Sequence, residues 1–113
     1  MKVLVMKNEI LITGPNLKQK ADKPEMLIIF FHGWGSNGDD LIQLAPLFAK
    51  HFPTAFFISP NGPEACPQNP YGGRQWFGLN FNNDGSIDRS EMPKKVSTAS
   101  EQAKIFIKHW QNE

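Results

Sequence analysis

The residues best suited to chemistry form a glycine-rich stretch at 32–40, with the sequence His-Gly-Trp-Gly-Ser-Asn-Gly-Asp-Asp. It directly follows an unbroken apolar run at 26–31, which is typical of a central strand covered on both faces in a parallel sheet. In α/β enzymes, the turn after such a strand is where ligands bind. The stretch therefore predicts a buried strand, a sharp turn and a helix start that together supply half of a catalytic site.

One interpretation of this turn is a nucleotide site, because Gly33, Gly35 and Gly38 match the dinucleotide-binding fingerprint Gly-x-Gly-x-x-Gly. The two aspartates that follow would repel a pyrophosphate at the helix amino terminus, where such an anion binds. The next predicted strand is followed by Ser-Pro-Asn at 59–61, where a ribose-binding acid is expected. Dinucleotide binding is therefore the less favoured alternative, and we expect no cofactor.

The second interpretation is an oxyanion loop, in which a backbone N–H of the turn donates to the negative oxygen of a tetrahedral intermediate. No residue of the 113 stands in a nucleophile elbow, Gly-x-Ser-x-Gly. Ser36 comes nearest, but Trp34 occupies the position of the first glycine of that motif. The turn therefore predicts the oxyanion side of an acyl-transfer site without its attacking serine.

Composition indicates one domain and excludes several partners. The chain has 113 residues, of which 40% are hydrophobic, and its net charge is +1 without a clustered basic face. We therefore expect no nucleic acid and no anionic membrane surface as a partner. The apolar stretch at 1–6 is cut short by polar residues, so it predicts neither a secretory segment nor a membrane span.

Cysteine and histidine usage bears on redox state and metals. Cys66 is the only cysteine, which excludes an internal disulfide and is typical of a reducing compartment, so we expect a cytoplasmic protein with a structural thiol. The three histidines, His32, His51 and His109, are scattered along the chain. We therefore expect no metal site.

Apolar periodicity predicts an α/β order of elements around the glycine turn. A helix is expected at 39–51, in which Pro46 either kinks the helix or opens a second helical piece. The apolar run at 54–59 predicts the next strand, and the order strand, helix, strand implies a parallel crossover. A final helix is expected at 97–111, with its first two residues, a serine and a threonine, as candidate caps.

The remaining segments are expected to be short strands and loops. Strands are expected at 3–6 and 10–12, and a polar run at 17–25 predicts an exposed loop. The stretch at 60–83 is rich in proline, glycine and aromatic residues. A loop of that length is uncommon unless it lines or covers a site, so its aromatic residues either pin it to the core or line a substrate pocket.

Three linked motifs resemble one family. Residues 27–40 are similar to the corresponding segment of the carboxylesterase/phospholipase branch of the α/β hydrolases, relatives of the acyl-protein thioesterases. Pro-Asn-Gly-Pro-Glu at 60–64 resembles the proline-rich turn of that family, and Gly-Arg-Gln-Trp-Phe at 73–77 resembles its Arg-x-Trp-Phe segment beside the acyl pocket. The resemblance covers nearly the whole chain and implies an α/β-hydrolase fold with a mainly parallel sheet and flanking helices.

The resemblance also implies roles for individual residues. Trp34 would donate a backbone N–H to the oxyanion hole, and His32 and Gly33 would shape the turn. Trp76 and Phe77 would flank the acyl chain of a small ester or thioester substrate. His32 is expected to stabilise the turn rather than to act as general base, because the base of the family lies far downstream.

The chain departs from the family at the catalytic triad. Family members are much longer, and their Ser, Asp and His follow after the point where this sequence stops. We therefore expect residues 1–113 to be the amino-terminal part of one hydrolase domain, either a decayed remnant or one piece of a split hydrolase completed by a second chain. Such a chain alone is expected to be inactive. The alternative is a non-catalytic acyl-binding or interaction module.

Overall fold

The computed structural model describes residues 2–3, 12–18 and 24–111. Nine short strands and three helices follow one another in this part of the chain. The elements are β1 (Lys2–Val3), β2 (Ile12–Thr13), β3 (Asn16–Lys18), β4 (Met26–Ile29), α1 (Gly38–Ile42), α2 (Ala45–Ala49), β5 (Ala55–Ile58), β6 (Glu64–Ala65), β7 (Arg74–Gln75), β8 (Asn80–Phe81), β9 (Ile87–Asp88) and α3 (Met92–Gln111).

A three-stranded sheet with the order β3-β5-β4 lies at the centre of the described residues. The central strand β5 runs antiparallel to β3 and parallel to β4, with Ile58 opposite Ile29. Because β5 has a strand on each side and packing on both faces, Phe57 and Ile58 are fully buried. Phe57 packs on the side of α2 and Ile58 on the side of α3. The parallel crossover expected from the sequence is thus present between β4 and β5.

Strand β4 differs from its sequence-based prediction in length, burial and position. It ends at Ile29, two residues before the predicted end, and among the described residues its only neighbour is β5. Among the described residues β4 therefore has one unpaired edge, although its apolar run is typical of a central strand covered on both faces. Met26, at the start of β4, and Phe31, two residues beyond its end, are more than 40% exposed. The apolar pattern correctly predicted a strand but overestimated how much of the chain would cover it.

The prediction of an exposed loop at 17–25 was partly wrong, because Asn16–Lys18 form β3 and pair with β5. Sheet pairing uses backbone groups, so a polar side-chain pattern does not prevent it. Near the amino terminus, β1 and β2 pair antiparallel. The remainder of the predicted strands at 3–6 and 10–12 lies outside the described residues.

The helix expected at 39–51 is divided into α1 and α2. Of the two predicted effects of Pro46, a kink or the opening of a second helical piece, the structure shows the second. Pro46 lies in the first turn of α2, where the missing N–H of proline has no intrahelical partner to lose. Ala45 is fully buried against β5, whereas Leu44 and Phe48 remain 40% exposed. The predicted apolar stripe is therefore only half covered.

Two hairpins occupy much of the region from 60 to 88, which the sequence suggested to be a loop as far as residue 83. β6 pairs with β7, and β8 pairs with β9, both antiparallel. Each strand has only two residues, too few for a recognisable alternation of side chains. The single thiol, Cys66, is 1% exposed beside the first hairpin, as expected of a structural cysteine.

Helix α3 begins at Met92, five residues before its predicted start. Ser97 and Thr98, the expected caps, lie inside it, and the Thr98 hydroxyl donates to Lys94 O. The first turns contain Pro93 and polar residues, which produce no apolar period for a sequence pattern to detect. Phe106 is buried by packing against Ile58. No helix in the described ranges is both long enough and apolar enough to cross a membrane.

Candidate active site

The turn after β4 is built around the carbonyl of Gly33. Ser36 N–H donates to Gly33 O at 3.1 Å, which closes a four-residue turn. Gly35, its third residue, has φ of +85°, a value that a type II turn requires at this position and that favours glycine. Nδ1 of His32 lies 2.7 Å from the same carbonyl oxygen. Two donors therefore hold the Gly33 carbonyl in one direction.

The hydrogen bonds of His32 determine its tautomer. The ring is 3% exposed, and its Nε2 accepts the backbone N–H of Gly62 at 2.8 Å. An accepting Nε2 carries no proton, so Nδ1 carries it and donates to Gly33 O. Trp76 donates its indole N–H to His32 O at 2.9 Å, and the two rings lie 5.2 Å apart. His32 thus joins the turn to two segments that follow it in the chain by 30 and 44 residues.

The hydrogen bonds of the turn also fix the direction of the Trp34 backbone N–H. It belongs to the same peptide unit as the Gly33 carbonyl, and a planar trans peptide directs its N–H and C=O to opposite sides. Among the described residues, this N–H has no protein acceptor. Trp34 itself is 41% exposed. An oriented and unpaired N–H is the kind of donor that can stabilise a developing oxyanion.

The segment around Arg74 holds the second half of the turn. Gly35 N–H donates to Arg74 O at 2.9 Å, and Arg74 N–H donates to Ser36 O at 2.7 Å. The side-chain amide of Asn69 donates to Gly35 O at 2.8 Å. Arg74 Nε in turn donates to Gly62 O at 2.9 Å. The two residues that follow Trp34 are therefore held by residues from the first hairpin and its connection.

The packing at the start of α1 requires a glycine at position 38. Gly38 N–H donates to the side chain of Asn61 at 2.7 Å, and Asn37 caps the helix by accepting from Asp40 N–H at 2.9 Å. A Cβ added at Gly38 would overlap the Ser59 carbonyl oxygen. The glycine is thus required for close packing of the helix start on the residue that follows β5.

An apolar groove of about 280 Å³ lies beside the turn. Aromatic residues at the ends of β4 and β7 form one wall, and small residues of α3 form the other. The lining residues are Phe31, His32, Trp76, Phe77, Val96, Ala99, Ser100 and Ala103. The rings of Phe31 and Trp76 meet edge to face at 5.5 Å. A groove with this lining suits a short acyl chain better than a charged group.

The second hairpin contacts the turn through one aromatic pair. Phe81, on β8, lies edge to face with Trp34 at 6.4 Å between ring centroids. At the hairpin tip, hydrogen bonds from the Ser86 hydroxyl and backbone N–H lower the pKa of Asp84, so this carboxylate stays ionised and supports the tight turn. Hydrogen bonds therefore stabilise the tip of the hairpin that places Phe81 against Trp34.

The structure brings all the predicted site residues to one place. His32, Gly33 and Trp34 form the turn, and Trp76 and Phe77 line the groove next to it. Their catalytic and binding roles stay predictions. In the described ranges, no three His, Cys, Asp or Glu side chains cluster in a way that would bind a metal ion.

Several residues that hold the turn were missed by the sequence analysis: Gly62, Asn69, Arg74 and Gln75. The motifs at 60–64 and 73–77 were recognised only as marks of resemblance. No local pattern indicates that these two segments bond back to the turn, because the partners lie about 30 to 40 residues away along the chain.

Comparisons with known proteins agree with this architecture. A sequence model of the phospholipase/carboxylesterase family of α/β hydrolases matches residues 12–113. The chain therefore belongs to the phospholipase/carboxylesterase family, and the expected α/β-hydrolase fold is confirmed.

Two individual proteins are similar to the chain. Esterase YpfH of Escherichia coli (strain K12) is 31% identical over 99 residues, an alignment that covers 84% of this chain and 38% of the relative. The crystal structure of esterase PE8 superposes with a TM-score of 0.75 at 30% identity, covering 89% of this chain and 46% of that one. The chain thus spans less than half the length of either esterase.

Proposed function

We propose that this chain supplies the oxyanion and acyl-binding part of a cytoplasmic serine esterase that acts on carboxylic esters or thioesters. The observation that carries the proposal is the orientation of the Trp34 backbone N–H. It is unpaired among the described residues and directed by the two hydrogen bonds that hold the Gly33 carbonyl. Such preorganised donors stabilise the charge that develops on the carbonyl oxygen in acyl transfer.

In this proposal, the substrate carbonyl binds with its oxygen toward Trp34 N–H. The acyl chain enters the groove beside Trp76 and Phe77, whose lining is mainly apolar. Attack on the carbonyl carbon forms the tetrahedral intermediate, and the negative oxygen accepts from the Trp34 N–H. His32 takes no proton in this scheme, since its Nε2 already accepts from Gly62 and its Nδ1–H is engaged with Gly33 O.

The nucleophile and the general base come from residues outside these 113, because the sequence has no Gly-x-Ser-x-Gly elbow. We place them on a carboxy-terminal part that packs along β4, either on the same polypeptide or on a second chain. Support for this position comes from β4 itself, which has a neighbouring strand on one side only among the described residues. An unpaired strand edge is a template for a further strand. A coding sequence for the elbow and then Asp and His immediately downstream, in the same or an adjoining reading frame, would support this proposal, and unrelated sequence there would argue against it.

The test uses a chimera, called here the completed esterase: this chain joined to the part of esterase YpfH that follows its region of similarity. We expect it to hydrolyse p-nitrophenyl butyrate and to react with a fluorophosphonate probe. Replacing the Trp34 amide by an ester, through incorporation of indole-3-lactic acid, removes the N–H and keeps the side chain, while it also makes the Gly33 carbonyl a weaker acceptor. This change is expected to lower kcat by about 10²- to 10³-fold. Trp34→Phe, which keeps the N–H, should cost far less; a full kcat in the ester variant would refute the proposal.

A second candidate function is a non-catalytic acyl-binding module, and the apolar groove beside α3 is the observation that favours it. A module of this kind would bind a short-chain fatty acid or acyl thioester without a second polypeptide. Titration of the chain with butyryl and octanoyl thioesters separates the two functions. Tight binding by the chain alone, without gain of hydrolysis in the completed esterase, would favour the module.

A further inference from the structure

A chain of side-chain hydrogen bonds connects the oxyanion turn to the first hairpin. The indole N–H of Trp34 donates to Gln75 Oε1 at 3.1 Å, and Gln75 Nε2 donates to Glu64 Oε1 at 2.9 Å. Gln75 is 5% exposed, and Glu64 lies opposite it in the two-stranded pairing of β6 with β7. The three residues therefore form one continuous relay from a surface carboxylate through a buried amide to the indole.

The donors and acceptors of this relay have a single consistent direction. A carboxylate only accepts, and an indole N–H only donates. The amide of Gln75 must therefore turn its NH₂ toward Glu64 and its oxygen toward Trp34. Glu64 and the Trp34 indole therefore impose the same orientation on the Gln75 amide.

The relay acts on the same residue whose backbone N–H faces the substrate. His32 and Ser36 hold the carbonyl that precedes Trp34, and Arg74 bonds the backbone of the two residues that follow it. These backbone bonds do not fix the indole of Trp34. Gln75 does so by accepting the indole N–H. Because Gln75 directly follows Arg74, one β-strand holds both the backbone and the side chain of the turn.

We propose that Gln75, oriented by Glu64, is a positioning residue that holds the Trp34 N–H in the geometry required for oxyanion binding, an inference that rests on the proposed function. Preorganised donors are effective because they need no rearrangement as charge develops. Loss of the relay therefore lowers the turnover rate and leaves substrate binding in the groove largely unchanged. We therefore expect kcat to fall and KM to stay nearly constant.

The relay itself is tested without any activity. The chain contains three tryptophans, so labelling with indole-¹⁵N tryptophan yields three cross-peaks, and Trp34→Phe identifies that of Trp34. If the chain needs its carboxy-terminal part to fold, the labelled chain is mixed with that part unlabelled. Gln75→Leu removes the acceptor of the Trp34 indole N–H and is expected to shift its proton and to accelerate its exchange on the order of tenfold, the equivalent of one hydrogen bond. In Gln75→Glu the new carboxylate still accepts from the indole but is repelled by Glu64, so the Trp34 peak is expected to shift. The peaks of Trp76 and Trp110 should stay in place.

A double variant that exchanges the side chains of residues 64 and 75 tests whether the lost turnover can be rescued. In Gln75→Glu two carboxylates face each other, whereas the double variant Glu64→Gln/Gln75→Glu restores a donor opposite an acceptor. In the completed esterase, Gln75→Glu is expected to lower kcat about tenfold, and the double variant to recover part of that loss. Glu91→Gln changes an exposed glutamate outside the relay and serves as the matched control with unchanged kcat.

The outcomes distinguish this inference from the proposed function. An unmoved Trp34 indole peak in both Gln75 variants overturns the relay, whatever the activity. A shifted peak with unchanged kcat shows that the relay only holds the side chain, and it overturns the positioning role. If the completed esterase lacks turnover while the peak shifts and is restored by the double variant, the relay stands and the proposed function fails.

Discussion

Gly62 donates its backbone N–H to Nε2 of His32 at 2.8 Å, across 30 residues of sequence. This bond orients the ring so that its other nitrogen donates to the Gly33 carbonyl. One buried imidazole therefore connects the turn after β4 to the turn after β5. The direction of the Trp34 N–H depends on that connection, since the Gly33 carbonyl and this N–H share one peptide plane.

Replacing His32 by leucine is expected to destabilise the protein. Leucine leaves the buried Gly62 N–H without an acceptor, which costs about 1–3 kcal/mol. His32→Gln keeps an acceptor on a side chain of similar reach and should cost less. Urea unfolding of the completed esterase measures the difference in free energy of unfolding. Equal stability of the leucine and glutamine variants would contradict the role of the Gly62 bond.

The three glycines of the turn are expected to respond differently to alanine. Gly35→Ala forces a side chain into a left-handed conformation at a cost of about 1–2 kcal/mol. Gly38→Ala overlaps the Ser59 carbonyl and should cost about 1–3 kcal/mol through overpacking. A Cβ at Gly33 meets no neighbouring atom, so Gly33→Ala should leave stability unchanged. Thermal unfolding of the three variants tests this order, which a destabilised Gly33→Ala would break.

The isolated chain is expected to remain unlabelled by a fluorophosphonate serine probe. The probe reacts with a serine activated by a base, and the 113 residues have no elbow serine. Intact-mass spectrometry after incubation shows whether the probe adds. The completed esterase, in which the added part is expected to supply the serine, serves as the positive control. Rapid stoichiometric labelling of the isolated chain would show that it carries its own nucleophile.

Phe77 is expected to influence the choice of acyl chain. It lines the groove together with Phe31 and Trp76, and Phe77→Ala removes apolar surface that a longer acyl chain would contact. A loss of about two methylene contacts corresponds to roughly tenfold in kcat/KM. The measurement compares octanoyl with acetyl p-nitrophenyl esters in the completed esterase. We expect the octanoyl preference to fall while the acetyl rate is nearly unchanged, and a parallel fall of both would argue against an acyl groove.

Much of the fold was predictable because it depends on local pattern. The apolar runs correctly indicated β4 and β5, and Pro46 correctly indicated a second helical piece, since proline suits the first turn of a helix. Strand β3 and the start of α3 were missed. Strand β3 has one apolar residue between two polar ones, and the start of α3 contains a proline and two lysines. Neither segment is long or regular enough to give a periodic signal, and each is stabilised by backbone pairing or by its neighbours.

The candidate site divides in the same way. The types and spacing of residues 32–40 by themselves determined that a glycine turn follows a strand, because glycine content and apolar runs act over a few residues. The full sequence also determined that none of the 113 residues is an elbow serine. Only the tertiary structure decided which way the Trp34 N–H points and which residues hold it. His32, Gly62, Arg74 and Gln75 meet through hydrogen bonds between segments distant in sequence, and such contacts arise only when the packed chain brings those segments together.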